Sequence, residues 1–229
     1  MASAAIWALL VLLSLSAPLP AGAAEWQDLM EDAAALHREG RDGEATAALE
    51  SALRAARVFA ADDRRRAETR LALASIYFDQ ARYADAEPHL LTAAEIASAD
   101  EAANATMLAT ILNALGLVYA RQDKVRRAEL AYMRALQIFG QELGTEHGRI
   151  ADVLENLADL FAAQDRLAEA EDALQRALPI RARVLGPQHP GLLSLLDAYA
   201  VLLHRAGRDD DAAKLEARAW AIRAKQVAD

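Results

Sequence analysis

The chain lacks cysteine, has few aromatic residues and contains no stretch with the alternation of a β-strand. Aromatic side chains make up 5% of its 229 residues. Without cysteine, disulfide bonds, thiolate metal sites and a cysteine nucleophile are excluded. Strand-forming residues never alternate with polar ones, so the sequence predicts an all-α protein. Much of the 54% apolar content is alanine, the strongest helix former.

An excess of basic residues is also missing. The formal net charge is −9, and nucleic acid binding requires a basic face. The single basic run, Arg64 to Arg66, is flanked by Asp62, Asp63 and Glu68. We interpret it as a solvated turn between repeats and expect no nucleic acid partner.

Sequence motifs for catalysis and metal binding are absent as well. There is no Gly-x-Ser-x-Gly elbow and no glycine loop that could hold a phosphate. His147 and His189 occupy the same repeat position, one repeat apart, so we expect them to fasten loops rather than share a zinc ion. Asp209 to Asp211 is typical of a helix start rather than a calcium loop. We predict no catalytic residues, no metal, no cofactor and no enzymatic activity.

The N-terminus has the pattern of a secretory signal peptide. Ile6 to Leu15 is apolar except for Ser14, and a helix-breaking stretch with small residues follows. This predicts a signal peptide at 1–23, cleaved after Ala23 or Ala24, and a periplasmic or secreted protein with no membrane span after cleavage. Because no Lys or Arg precedes Arg38, an uncleaved N-terminal membrane anchor is the alternative.

The rest of the chain repeats one pattern about five times with a period of 42 residues. Each later copy has two alanines seven positions apart, and a small residue lies twelve positions before the first of them. Three residues after that small residue comes a large apolar one. The first alanines are Ala86, Ala128, Ala170 and Ala212; the large apolar residues are Tyr77, Tyr119, Phe161 and Leu203. Such self-similarity indicates a stacked repeat architecture.

One copy resembles a known family closely. Leu115-Gly116-Leu117-Val118-Tyr119, followed by Ala128, Tyr132 and Ala135, is similar to the tetratricopeptide repeat. The loops at 143–148 and 185–190 resemble those of the long, kinesin light chain type. The resemblance implies an all-α, right-handed superhelical α-solenoid of about five helix-turn-helix repeats over 26–226. We place the repeats at about 26–66, 67–108, 109–150, 151–192 and 193–226.

The resemblance also implies that the first helix of each repeat lines a concave groove. Residues beside the core stripe of these helices are then the candidates for partner binding. They are Glu68, Ser75, Asp79, Asn113, Arg121, Asp152, Glu155, Asn156, Asp159, Asp197 and Arg205. This set is net acidic, so we expect a protein or peptide partner that is basic or neutral-polar rather than acidic. The alternative is that the acids only keep an exposed face soluble.

We therefore expect an exported, non-enzymatic scaffold that binds a protein segment. The alternative is a self-associating structural or assembly component of the cell envelope. Trp220 and Ile222 lie on the last predicted helix, where an apolar face could form a homodimer. In the other interpretation both side chains pack on the preceding helix.

Overall fold

The structure, a computed structural model, describes residues 23–228, so most of the predicted signal peptide lies outside the described residues. Ten α-helices and two 3-10 turns, Ala56–Val58 and Pro190–Leu192, form this part of the chain, and it contains no β-strand. The helices are α1 Ala23–Arg38, α2 Asp42–Ala55, α3 Arg64–Asp79, α4 Tyr83–Ala99, α5 Glu101–Arg121, α6 Val125–Leu143, α7 Gly148–Ala163, α8 Leu167–Leu185, α9 Leu193–Arg205 and α10 Asp209–Ala228. The all-α prediction is confirmed.

The chain divides into two compact units, Met1–Lys124 and Val125–Asp229. We call them the N-terminal unit, which contains α1 to α5, and the C-terminal unit, which contains α6 to α10. The prediction that Arg64 to Arg66 is a solvated loop between repeats is wrong, because these residues begin helix α3. Asp63 caps that helix by accepting a hydrogen bond from the Arg65 backbone N–H at 2.9 Å.

The repeated alanines lie at fully buried positions of the second helices. Every alanine of the two columns is completely buried: Ala86, Ala93, Ala128, Ala135, Ala170, Ala177, Ala212 and Ala219. A methyl side chain lets neighbouring helix backbones approach closely, and larger side chains then fill the space on either side. Among the larger side chains, Leu90, Tyr132 and Phe139 are almost fully buried.

The turn between the two helices of a repeat requires one residue in the left-handed region. Gly40 and Gly207 supply it with φ of 74° and 71°. Ala81, Asp123 and Asp165 adopt φ of 57°, 58° and 58° at the equivalent positions. Glycine accepts this conformation freely, and aspartate tolerates it better than alanine does. Ala81 therefore carries the largest backbone strain of these turns.

A basic residue follows the left-handed position and ties consecutive repeats together. Lys124 Nζ lies 2.6 Å from Glu87 Oε2 in the N-terminal unit. Arg166 Nη1 lies 2.9 Å from Glu129 Oε2 in the C-terminal unit, and Arg208 forms an ion pair with Glu171. Each pair joins the end of one turn to the second helix of the preceding repeat, and each spans 37 residues.

Basic residues at this turn position also lie over the aromatic residue of their own repeat, where the repeat has one. The guanidinium carbon of Arg82 lies 4.4 Å from the Tyr77 ring centroid, and that of Arg166 lies 4.2 Å from the Phe161 ring centroid. Lys124 Nζ lies 5.6 Å from the ring centroid of Tyr119. These cation–π contacts fix the turn against the end of the first helix.

One described helix, α5, is long and apolar enough to cross a membrane by length and composition. Most of its apolar window is buried inside the fold, 78% of it, which is also the pattern of a core helix.

Relief of the strain at residue 81 gives a test of the turn geometry. We expect Ala81→Gly to raise the free energy of unfolding by about 1 kcal/mol in urea titration, because glycine removes the cost of a left-handed Cβ. The matched control is Ala47→Gly in the exposed middle of α2, which should lose about 1 kcal/mol. Equal destabilisation by both changes would contradict the strained turn.

Candidate functional site

Six of the predicted groove residues lie on the first helices of the C-terminal unit, α7 and α9. The two helices are neighbours at one end, since Arg205 Nη2 donates to the Ala162 carbonyl oxygen at 2.9 Å and lies 3.1 Å from Asp165 Oδ1. We call this region the first-helix surface. It consists of Asp152, Glu155, Asn156, Asp159, Asp197, Val201 and Arg205.

Two of its carboxylates are held by one arginine from the second helix of the same repeat. Arg181, on α8, places Nη2 2.7 Å from Asp152 Oδ1 and 2.6 Å from Glu155 Oε1. Its Nε also donates to Glu155 Oε1 at 2.9 Å. Since the Arg181 side chain is only 20% exposed, the fork is fixed by its surroundings and the two carboxylates are oriented by it.

The next repeat contains the same arrangement in weaker form. Arg223 Nη2 on α10 lies 2.5 Å from Asp197 Oδ2, and both side chains are about half exposed. Arg181 and Arg223 are 42 residues apart, and each lies 26 residues after its carboxylate partner, Glu155 or Asp197. The sequence interpretation missed both arginines.

The first-helix surface is therefore not strongly acidic, because four carboxylates face three guanidinium groups.

Burial shifts the pKa of Glu155. Loss of water raises the pKa of Glu155 above its ordinary value of 4.5, and the charge of Arg181 opposes this increase. Asp152 Oδ2 and Glu155 Oε2 receive no hydrogen bond from any described residue. They are oriented acceptors that can take a hydrogen bond from a bound molecule.

An exposed apolar side chain lies beside these charges. Val201 on α9 is 60% exposed and sits between Asp197 and Arg205 at i+4 spacing, so the three share one helix face. Asp159 occupies the equivalent position of α7 and is also exposed. The surface can thus offer hydrogen-bond acceptors and an apolar contact to the same ligand.

The groove residues predicted in the N-terminal unit form no comparable surface. Glu68 is 7% exposed and Ser75 is 5% exposed, which differs from the expectation that they line an open groove. Arg64 Nε donates to Glu68 at 2.7 Å, burial raises the pKa of Glu68, and Ser75 Oγ donates to the Leu71 carbonyl oxygen. Both turn inward because α3 is buried around most of its circumference.

The other three predicted groove residues of this unit, Asp79, Asn113 and Arg121, are partly buried or contact other side chains. Asp79 lies 3.5 Å from His37 Nε2. The Arg121 guanidinium lies 5.6 Å from the Phe78 ring centroid, and Asn113 is half-buried.

The loop histidines act as helix caps. His147 Nδ1 accepts a hydrogen bond from the Arg149 backbone N–H at 3.2 Å, and His189 Nδ1 accepts one from Gly191 N–H at 3.0 Å. Their predicted loop-fastening role is confirmed. Within residues 23–228, no group of three or more His, Cys, Asp or Glu side chains is placed to hold a metal ion.

Comparison with known families and structures gives a consistent result. The family model described as tetratricopeptide repeat matches residues 65–141, 107–183 and 149–225. No curated protein matches this chain in sequence. Among solved structures, BtubC (BKLC) from P. vanneervenii is similar with 25% identity and a TM-score of 0.80, over 98% of this chain and 89% of that chain.

Two further structures share the fold at lower identity. The kinesin light chain-type repeats of P. anserina are 20% identical with a TM-score of 0.76, over 93% of this chain and 100% of that chain. MamA is 19% identical with a TM-score of 0.62, over 86% of this chain and 97% of that chain. These likenesses confirm the predicted α-solenoid fold class with repeats of the kinesin light chain type.

The two arginine arrangements predict different energetic contributions. Arg181→Ala leaves two carboxylates without their shared counter-charge at a mostly buried position, so we expect the free energy of unfolding at pH 7 to fall by about 2 kcal/mol. Arg223→Ala breaks an exposed pair and should cost about 0.5 kcal/mol. Urea titration of both variants measures the difference. Equal losses would show that Arg181 holds Asp152 and Glu155 no more strongly than Arg223 holds Asp197.

Proposed function

Because this chain belongs to the tetratricopeptide repeat family, with repeats of the kinesin light chain type, we propose that it is an exported scaffold that binds an extended segment of a partner protein on the first-helix surface. Tetratricopeptide proteins bind protein partners, so protein interaction is the general function of the fold. The site, the partner chemistry and the export are the specific parts of the proposal.

The main support for this site is the contact of Arg181 with both Asp152 and Glu155, which we call the Arg181 clamp. A ligand-binding surface gains affinity when its polar groups are already fixed, because less side-chain entropy is lost on binding. Arg181 fixes Asp152 and Glu155 and occupies only one oxygen of each. The remaining oxygens can accept hydrogen bonds from the backbone N–H groups or the basic side chains of an extended peptide.

The same surface favours a basic or neutral-polar partner over an acidic one. The remaining oxygens of Asp152 and Glu155 attract cations and donors, and a carboxylate at this position would be repelled. Val201 adds an apolar contact on the neighbouring helix. The fitting segment therefore combines a Lys or Arg side chain with an apolar residue, separated by the distance between α7 and α9.

Export is supported by the apolar N-terminal run and the small residues that follow it. Cleavage after Ala23 would remove one alanine from the buried cluster of Ala23, Ala56 and Phe59. It would leave in place the edge-to-face contact of Trp26 with Phe59, whose ring centroids lie 5.7 Å apart. A periplasmic or secreted chain then begins at Ala24 or Glu25, which mass spectrometry of the purified protein detects. A chain that begins at Met1 would support the membrane-anchored alternative.

Removal of charge without change of shape tests the site. In Asp152→Asn with Glu155→Gln the two side chains keep their size but lose the attraction for a basic segment. We expect capture of the partner from the exported fraction, quantified by mass spectrometry, to fall about tenfold or more. The matched control is Glu142→Gln with Asp172→Asn, two exposed acids outside the first-helix surface. Thermal unfolding confirms that both variants are folded, and equal capture by both would exclude this surface.

Self-association is the second candidate function, and an observation on α10 favours it.

A further inference from the structure

The last helix exposes a stripe with the spacing of a two-helix interface. Asp210, Ala213, Ala217, Trp220 and Ala224 follow one another at intervals of three, four, three and four residues, and all are exposed. This alternation keeps side chains on one face of a helix that pairs with another helix. Trp220 is 70% exposed, which makes it the most exposed large apolar side chain described.

Two of the equivalent positions on α8 are partly buried. Leu178 and Ala182 of α8 lie 42 residues before Trp220 and Ala224, and they pack against the buried cluster of Leu192, Leu196, Ala219 and Ile222. Ile222 belongs to this cluster and is 3% exposed, so it packs inside while Trp220 does not. The two residues expected to act together are thus separated. The C-terminal half of the stripe on α10 therefore corresponds to the part of α8 that contacts the next repeat. The α8 residues equivalent to Asp210 and Ala217 are Ala168 and Gln175, and both are exposed.

We propose that this face binds α10 of a second copy of the chain in antiparallel orientation. The first turn of α10 is acidic, Asp209 to Asp211, and its C-terminal half is basic. Of the two basic residues there, Arg223 is paired with Asp197 of its own chain, which leaves Lys225 for the partner. Antiparallel pairing brings each acidic end to the basic end of the partner, whereas parallel pairing would bring like charges together. A twofold axis is also the commonest symmetry of soluble homo-oligomers.

The spacing defines the centre of this dimer. If Ala217 lies on the twofold axis, residues equally far from it face each other across the interface. Trp220 then covers Ala213 and Lys214 of the partner subunit, and Asp210 faces Ala224 and Lys225 of the partner subunit. Alanine at 213, 217 and 224 leaves room for the indole ring and for close approach of the helices. Lys225 reaches this pair by leaving its exposed contact with Gln188, at 3.1 Å.

The expected dimer is weak. A standard interface buries about 800 Å² on each partner, and one helix face buries less than this. We therefore expect a dissociation constant in the micromolar range. The stripe lies on α10, the second helix of its repeat, and shares no residue with the first-helix surface. Partner capture and dimer formation can therefore fail independently.

The absence of cysteine allows a direct test of the geometry. Ala217→Cys should form a disulfide-linked dimer on mild oxidation of the purified protein, because the two thiols meet at the axis. Ala47→Cys, at an exposed alanine in the middle of α2, is the matched control and should remain mostly monomeric. Equal rates of cross-linking for both variants would overturn the proposal.

Sedimentation equilibrium tests the energetics on the cysteine-free protein. We expect the protein to form reversible dimers with a dissociation constant below about 200 µM, and Trp220→Ala should raise that constant tenfold or more. Lys225→Glu should weaken the dimer a few-fold, and the addition of Asp210→Lys should restore it, because the charge pair is re-formed with opposite signs. A protein that stays monomeric over this range, or a dimer that Trp220→Ala does not change, would overturn the proposal.

Discussion

Contact between helices through side chains no larger than a methyl group is the constraint on which the rest of this structure depends. The two alanine columns are completely buried in every later copy. Because the helices approach closely there, a lysine or arginine at the turn can reach both the aromatic residue of its own repeat and a glutamate of the preceding one. The 42-residue period therefore applies to charges as well as to the core.

This use of charge decides which surfaces remain for binding. Much of the chain's charge is engaged in fastening one helix to another, at the turns and at the Arg181 and Arg223 pairs. The carboxylate oxygens left over on α7, with Val201 on α9, form the first-helix surface proposed to take a partner. The exposed stripe on α10 offers a different chemistry, apolar at its centre, with Asp210 at one end and Lys225 beside the other, and it is proposed to pair with itself.

The repeat pattern predicted the helices, their buried alanines and the fold class, because periodic spacing determines which face of a helix is covered. It failed where the answer depends on how far each helix is rotated. Glu68 and Ser75 lie on a helix buried on nearly all sides, and Arg181 reaches Glu155 from 26 residues away. Arg181 and Arg223 do recur at 42 residues, as do the glutamates that pair with the turn residues, Glu87, Glu129 and Glu171. A search for charged residues at this period would have found them. The left-handed Ala81 had no such signal, since other copies have aspartate or glycine there.

The most direct test of the central claim enlarges one buried alanine. Ala170 is completely buried on α8, whereas Ala168, two residues before it, is exposed. If close contact at the alanine column holds the repeats together, Ala170→Leu should lower the free energy of unfolding by about 2 kcal/mol in urea titration. Ala168→Leu should change it by less than about 0.5 kcal/mol. A chain that accepts leucine at both positions without loss would show that the helices do not depend on this contact.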